Sequence, residues 1–334
     1  MTEPVLDATP TKVSAADVKE EILTQKISKK CCKCAFLAGV FRGAGSFYLS
    51  HDGYGVRISH HDDALISKSA VILHSLTRFE AEVTLRISSR EVGAKNIYEF
   101  QIPSGDVYDR LTDMHVLPPF GDVSALPSPA ILANECCKIS FIKGLFVACG
   151  TISVPFDEKA KSSGGYYMDL TLSNESVAAF VCDLLNSLGA NAKIRKRMRA
   201  YSVYMKEAEA ISDMVCRLGA MNAVCAIQNI MVFRAVKNDS NRYTNCESAN
   251  ISKTVNAAVR QTEAIKKIIR AGLMDTLDAD TREVAEARMD NPSATLSQLS
   301  EIIPSHPGRG AINFRLKKLV ATGDAIEDNH GKSE

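Results

Sequence analysis

Thiols, histidines, acids and a run of cations are the side chains whose types and spacing can do chemistry in this chain. Cys31-Cys32-Lys33-Cys34 and Cys136-Cys137 put thiols in two short runs. Thiolates hold zinc or iron–sulfur clusters, but only Cys31 and Cys34 stand at CxxC spacing, and the second run has no such pair. Small thiols also pack well in core helices, so these cysteines are expected to be packing residues and not metal ligands. His60-His61-Asp62-Asp63 offers donor atoms for a divalent ion. Adjacent residues on one short loop seldom all reach one ion, so no metal is expected there either. Gly43-Ala44-Gly45 is not a dinucleotide fingerprint, because no third glycine arrives in register. No Ser–His–Asp set or carboxylate pair can be placed, and no cofactor is expected. Lys193-Ile194-Arg195-Lys196-Arg197-Met198-Arg199 is the densest local charge. In a strand, Lys193, Arg195, Arg197 and Arg199 share one face. Such a face either tracks nucleic-acid phosphates or solvates a sheet edge against edge-to-edge pairing, and both readings stand.

The elements that must position these groups are organised around a repeat. Residues 31–47, CCKCAFLAGVFRGAGSF, recur as residues 136–152, CCKISFIKGLFVACGTI. At a constant offset of 105, Cys31, Cys32, Lys33, Phe36, Gly39, Phe41 and Gly45 pair with Cys136, Cys137, Lys138, Phe141, Gly144, Phe146 and Gly150. So dense a match marks an internal duplication and predicts two similar halves related by a pseudo-two-fold axis. Phe36, Leu37, Val40 and Phe41 recur at helical spacing. Gly39 and Gly43 stand on one face of that helix, and Gly144 and Ala148 repeat the pattern. Glycine inside a helix costs ~1 kcal/mol relative to alanine. Small residues at this spacing let two helix backbones touch. Gly45 and Gly150 are expected to end the helices, with β-prone residues after them.

Both copies resemble the signature helix of LAGLIDADG homing endonucleases, from Leu37-Ala38-Gly39 to Gly45-Ser46-Phe47 and from Ile142-Lys143-Gly144 to Gly150-Thr151-Ile152. The resemblance implies two such helices packed between two αββ-built halves, with DNA on the sheet face. It also implies a metal-binding acid before the last glycine of each copy. Those positions here are Ala44 and Cys149. Magnesium needs hard oxygen ligands. Alanine has none, and a lone thiol does not suit the ion. The expectation is the scaffold without the cleavage centre, hence no catalytic residues and no enzyme. The alternative is an endonuclease whose metal site is displaced to Asp52, Asp157 or Glu158.

At 334 residues, two domains are expected. The apolar fraction of 46% is ample for packed cores and the charged fraction of 24% is ordinary. A net charge of +1 identifies no partner, so any nucleic-acid signal must be local. The start lacks an apolar signal-peptide core and no 18-residue apolar run follows, so the ten cysteines are expected to be reduced thiols of a cytoplasmic protein. Residues 1–17 are read as a disordered N-terminus, although Ser14 to Asp17 can cap a helix reaching Thr24. Residues 18–235 then form one domain with halves of about 18–116 and 130–220. In the first half, strands are expected at 47–49, 56–59, 81–88 and 97–102, with a helix at 64–77. After a proline-rich linker at 117–129 and a polar loop at 156–165, the second half repeats the order with strands at 167–172, 193–199 and 202–205. The fold class is therefore α+β, a duplicated αββαββ domain.

Residues 233–261, FRAVKNDSNRYTNCESANISKTVNAAVRQ, are rich in asparagine at Asn238, Asn241, Asn245, Asn250 and Asn256. A helix is predicted over 252–269, capped by Ser252, with Val255, Ala258, Val259, Thr262 and Ile265 or Ile269 facing a partner. A second helix is predicted over 281–289, stopped by Asn291-Pro292. Thr295 and Gln298 form a capping box, and Leu296, Leu299, Ile302 and Ile303 an apolar stripe. After the turn Pro304-Ser305-His306-Pro307-Gly308, a helix over 311–322 turns Ile312, Leu316, Leu319 and Val320 inward, with Gly323 past its end. Its outer side holds Asn313, Arg315, Lys317 and Lys318, with Arg309 at its start. This is either a helix-turn-helix with a basic third helix or a small helical interaction module with a solvated charged face.

Asn241-Arg242, Asn245-Cys246-Glu247-Ser248-Ala249-Asn250 and Lys253-Thr254-Val255-Asn256-Ala257-Ala258-Val259-Arg260-Gln261 closely resemble the WhiA family of bacterial regulators, and the likeness runs from about residue 18 to 319. It implies an inactive LAGLIDADG-like domain, a linker segment at 236–275, an all-α helix-turn-helix domain at 276–324 and a flexible tail at 325–334. It further implies a nucleoid-associated transcription factor acting in cell division, chromosome segregation or sporulation. Its partners would be double-stranded DNA and a regulatory protein, with no membrane and no small-molecule substrate. On that reading Arg309 and Asn313 contact bases, and Lys317 and Lys318 contact phosphates. Arg315 serves either role or pairs with an acid of a preceding helix. The remaining alternative is a partner protein of the division machinery that binds no DNA.

Overall fold

The computed structural model describes residues 12–51, 53–86, 96–122, 124–155 and 165–330, the side chains of 327–330 excepted. Helix α1 (Ala15–Thr24) starts on a capping box, in which the Ser14 hydroxyl accepts from Asp17 N and the Asp17 carboxylate accepts from Ser14 N at 2.8 Å. Val13 is buried. The disorder expected over 1–17 is thus corrected for 12–17, and residues 1–11 lie outside the described ones. Helix α2 (Lys30–Ala44) runs straight into the hairpin β1 (Gly45–Ser50) and β2 (Gly53–His60). Then come α3 (Asp63–Thr77), β3 (Thr84–Arg86), β4 (Ile97–Pro103) and α4 (Asp106–Asp113). The second half repeats the order as α5 (Glu135–Cys149), β5 (Gly150–Ser153), β6 (Tyr167–Leu172), α6 (Glu175–Asn186), β7 (Lys193–Lys196), β8 (Tyr201–Met205) and α7 (Ala208–Arg217). Each half holds one antiparallel sheet, of order β1-β2-β4-β3 and β5-β6-β8-β7. The identical order is the duplication written in topology, and the α+β class is as expected.

The centre of this unit is the contact between α2 and α5. A Cβ on Gly39 would lie 2.1 Å from the Phe141 carbonyl oxygen, and one on Gly144 would lie 2.1 Å from the Phe36 carbonyl oxygen. Each helix therefore presses its glycine onto the other's backbone, as the matched spacing predicts. Phe36, Phe141 and Phe146 are fully buried around the crossing. Gly45 and Gly150 do end the helices, but in extended conformation, at φ −91°, ψ 153° and φ −80°, ψ 149°. Glycine is needed there for space, because a Cβ would strike the Phe41 or Phe146 ring at 2.2 or 2.3 Å. Val56, Ile58, Phe100 and Ile102 turn one face of the first sheet into the core, and Met168, Leu170, Val203 and Met205 do so for the second.

The chain divides into two compact units, Met1–Arg234 and Ala235–Glu334. Helix α8 (Met221–Arg270) supplies residues to both and is continuous for 50 residues. Ser252 lies in its interior, so the cap expected there is corrected: no glycine or proline interrupts 221–270, and helix continues from both sides. Ile265 and Ile268 are buried, whereas Val255 and Val259 are 52% and 58% exposed. The second unit adds α9 (Ala279–Asp290), α10 (Leu296–Ile302) and α11 (Arg309–His330). The Thr295–Gln298 capping box is present. Ile265, Ile268, Val284, Leu299, Ile303, Ile312, Leu316 and Leu319 make this unit's own core. Ile302, expected inward, is exposed, because the short helix turns Leu296, Leu299 and Ile303 to the core. The buried Arg288 closes the α9–α10 loop by donating to the Ala294 carbonyl at 2.6 Å. Gly323 does not end α11. A Cβ there would lie 2.8 Å from that of Ala264, so glycine serves helix contact and the helix runs on through the expected tail to His330. Among the described residues, no helix is long and apolar enough to cross a membrane.

Gly39→Ala or Gly144→Ala drives a methyl into opposing backbone, which cannot rotate away. Each is expected to cost about 3 kcal/mol, read as a lowered urea midpoint of the first unit. A change below about 0.5 kcal/mol would show that the two backbones do not meet.

Candidate nucleic-acid interface

The positions before the last glycine of each repeat, where the resemblance implies metal-binding acids, hold the half-buried Ala44 and Cys149. Gly43 abuts this end of α5, since a Cβ on it would lie 2.6 Å from the Ala148 Cβ and 3.2 Å from the Cys149 sulfur. The Cys149 thiol donates to the Leu145 carbonyl at 3.3 Å, and burial pushes its pKa up to about 12. It is therefore a neutral thiol near pH 7 and offers magnesium no anionic ligand. Lys19 and His60 lie close by, both pulled down by burial. Of the other acids and histidines considered, Asp62 accepts from Ala64 N as the cap of α3, and His61 Nδ1 meets the Asn96 carbonyl at 2.9 Å. Asp52, Asp157 and Glu158 lie outside the described residues.

The sheet face opposite the core carries charge on both halves. In the first sheet the buried Glu99 is flanked by Arg86 at 2.9 Å and Arg57 at 3.6 Å, and Arg57 also lies over the Tyr48 ring at 5.5 Å. In the second, the buried Asp169 accepts from the Ser202 hydroxyl at 2.7 Å, from Thr151 and from Arg197 at 3.0 Å. Tyr167 and Tyr204 stack at 5.6 Å, and Arg195 and Lys206 lie over the Tyr204 ring. The expected four-residue basic stripe is therefore divided. Lys193 and Arg195 sit on β7, opposite Tyr204 and Ser202. Strand β7 stops at Lys196, and Arg197 N donates to the Ala200 carbonyl at 2.7 Å to close a turn that holds the exposed Arg199. Arg197 leaves the stripe because Asp169 draws it over the sheet. Arg57, Arg86 and Tyr204 were not singled out from sequence. The offset of 105 does not hold beyond the helices, since Gly45 pairs with Ile58 but Gly150 with Leu170, so the matching arginines do not align.

On the second unit, every residue from 235 to 257 of α8 is exposed, including Asn238, Asn241, Asn245, Asn250 and Asn256. Helix α11 starts at Arg309, two residues before the predicted start. Arg309, Asn313 and Lys317 recur one turn apart along it, with Arg309 and Lys317 exposed and Asn313 half-buried. Phe314 is 72% exposed beside them, a side chain the outward set had omitted. Arg315 is paired with Asp280, and Lys318 with Asp278 at 3.0 Å. The hydrogen bond from Thr281, with Lys318 beside it, holds the Asp278 carboxyl well below the usual carboxylate range. Of the roles open to Arg315, the acid pair is the one present. Lys318, assigned to phosphate, also faces an acid, since Asp278 is the N-cap of α9.

A duplicated αββαββ domain built on two glycine-packed helices, followed by a three-helix unit with a cationic last helix, defines a LAGLIDADG-like scaffold coupled to a helix-turn-helix. The WhiA LAGLIDADG-like domain matches residues 33–100 and 138–237, and the WhiA C-terminal HTH domain matches residues 240–322. The chain is 30% identical, over 96% of its length and 99% of the relative's, to the probable cell division protein WhiA of Alkaliphilus metalliredigens. To that of Heliobacterium modesticaldum it is 28% identical, over 95% and 98%. The crystal structure of full-length DUF199/WhiA from Thermatoga maritima shares the fold, with a TM-score of 0.54 at 20% identity over 94% of this chain and 99% of that one. The chain belongs to the WhiA family.

The two arginines of the second sheet should separate stability from binding. Arg197→Ala strips the buried Asp169 of its cation and is expected to cost about 1–3 kcal/mol of stability. Arg195→Ala, which removes a cation from an exposed strand, should stay within about 0.5 kcal/mol. Urea unfolding of the two variants checks this, and equal losses would mean that Arg197 is not the structural member.

Proposed function

We propose that this chain is a duplex-DNA-binding transcriptional regulator acting in cell division, chromosome segregation or sporulation, nucleoid-associated and without nuclease activity. The observation that carries the proposal is the sorting of side chains on α11. Asp278 and Asp280 hold Lys318 and Arg315, and Arg309 and Lys317 are left exposed with the half-buried Asn313 between them. A helix-turn-helix lays its last helix in the major groove, where the N-terminal part meets base edges. Asparagine can bridge adenine and arginine guanine, so Arg309 and Asn313 take the base contacts and Lys317 a phosphate. The names of the relatives, probable cell division proteins, support the setting. The absence of nuclease chemistry rests on Ala44 and on the neutral thiol of Cys149. Lys193, Arg195 and Arg199 form a secondary phosphate track on the first unit, and a regulatory protein is a further partner.

Fluorescence anisotropy tests the assignment, with affinities compared at one salt concentration and the salt dependence followed in a separate series. Asn313→Ala should cost about 1–3 kcal/mol on the preferred duplex and little on random DNA. Lys317→Ala should weaken both alike and lower the slope of log affinity against log salt by about 0.9. Lys318→Ala should do less, because its charge already faces Asp278. An unchanged ratio of specific to random affinity in Asn313→Ala would remove α11 from the role of reader.

Supercoiled plasmid incubated with the full chain and magnesium or manganese should stay intact over hours. Metal-dependent nicking that co-purifies with the chain would return the first unit to the nucleases.

A further inference from the structure

At the end of the paired helices opposite Ala44 and Cys149, four thiols meet. Cys31 and Cys32 lie in the first turn of α2, Cys136 and Cys137 in that of α5. Their four sulfur atoms all lie within 4.8 Å of one another, and among the described residues no other group of three or more His, Cys, Asp or Glu side chains converges in this way. The spacing rule that argued against a metal fails for a simple reason. Each helix brings only an adjacent pair, so a four-ligand set exists only once the two copies of the repeat pack. Cys32 and Cys137 are buried, Cys136 is half-buried and Cys31 exposed. Packing therefore fixes the inner pair while the outer pair leaves an entry path.

A tetrahedral tetrathiolate ion with metal–sulfur bonds of about 2.3 Å spaces its sulfurs roughly 3.8 Å apart. A group already within 4.8 Å reaches that geometry by small side-chain rotations. Iron–sulfur cages hold their cysteine sulfurs farther apart, so the compactness favours a single ion. Thiolates select zinc-like ions over magnesium and calcium. We propose that Cys31, Cys32, Cys136 and Cys137 form a closed tetrathiolate site for one zinc-class divalent ion, which staples the first turns of α2 and α5 across the pseudo-two-fold axis.

Loading turns four thiols into four thiolates and releases four protons, leaving a site of net charge −2. Lys26, Lys29 and Lys143 line the cleft beside Cys32 and Cys136, and Lys30 lines the one beside Cys31, so the surroundings favour that charge. The first-turn backbone N–H groups of both helices add to it. Four protein ligands leave no open position for water, so the ion is structural.

The test uses the full chain, purified in reductant without chelator. Elemental analysis should give one zinc per chain. After chelation, titration with cobalt(II) should produce thiolate-to-cobalt charge-transfer absorption and the visible bands of tetrahedral cobalt, saturating at one equivalent. Cys32→Ser with Cys137→Ser should abolish both signals, as should Cys31→Ser with Cys136→Ser, the less buried pair that keeps the protein folded if the first does not. Replacing the exposed Cys216, Cys225 and Cys246 by serine should leave both signals intact. Zinc should also raise the thermal midpoint of the wild type and not that of the serine variants. Full-chain protein that binds no stoichiometric cobalt, or that keeps one equivalent in both double variants, would overturn the proposal. So would disulfides joining the two helices in freshly reduced protein.

Discussion

Two glycines facing each other's backbone set the frame of the first unit. With a Cβ at Gly39 or Gly144 blocked at 2.1 Å by a carbonyl oxygen of the opposite helix, the crossing of α2 and α5 admits no larger residue and little change of register. That closeness has consequences at both ends of the helices. At one end it brings Gly43 against Ala148 and Cys149, with no room for a side chain on Gly43. At the other it gathers four cysteine sulfurs from two adjacent pairs. One packing constraint thus sets both ends of the pair, where Ala44 and Cys149 supply no hard ligand at one end and four thiols meet at the other.

Electrostatics then distinguish the cations paired with acids of the fold from those left outward. On the sheets, Glu99 and Asp169 are buried acids on the face away from the core, and Arg86 and Arg197 reach over to them. A buried carboxylate left without donors is costly, so these arginines are bound to the protein before any ligand arrives. On α11, Asp278 and Asp280 engage Lys318 and Arg315 in the same sense, though more weakly because those pairs are solvent-exposed. Of the candidate contacts, those that remain outward are fewer than the count of basic residues suggests, namely Lys193 and Arg195 on β7, Arg199 in the turn after it, and Arg309 and Lys317 on α11.

The sequence made the architecture legible because the repeat is densest where packing is tightest. Phe36, Gly39 and Phe41 recur as Phe141, Gly144 and Phe146, and the shared sheet order follows. Element ends were less legible. Ser252 has the side chain of a cap, but a cap needs a helix end, and α8 has none there. Gly323 has the look of a stop, yet its missing side chain makes room for Ala264. The candidate site was legible by type and not by pairing. Alternation placed Lys193 and Arg195 on one face, while the capture of Arg197 by Asp169 joins residues far apart in the chain. The cysteine group was hidden for the same reason, since local spacing cannot show what two packed copies bring together.

The central claim is that an endonuclease-like scaffold persists here as a frame while sequence recognition lies on the C-terminal helices. Selection of bound duplexes from a random library, with the full chain in the presence of chelator, tests it most directly when repeated with Arg309→Ala and Asn313→Ala combined. The account predicts that the wild type enriches a defined sequence without any divalent ion and that the double variant binds DNA but enriches none. Recovery of the same sequence by the double variant, or enrichment that requires magnesium, would contradict it.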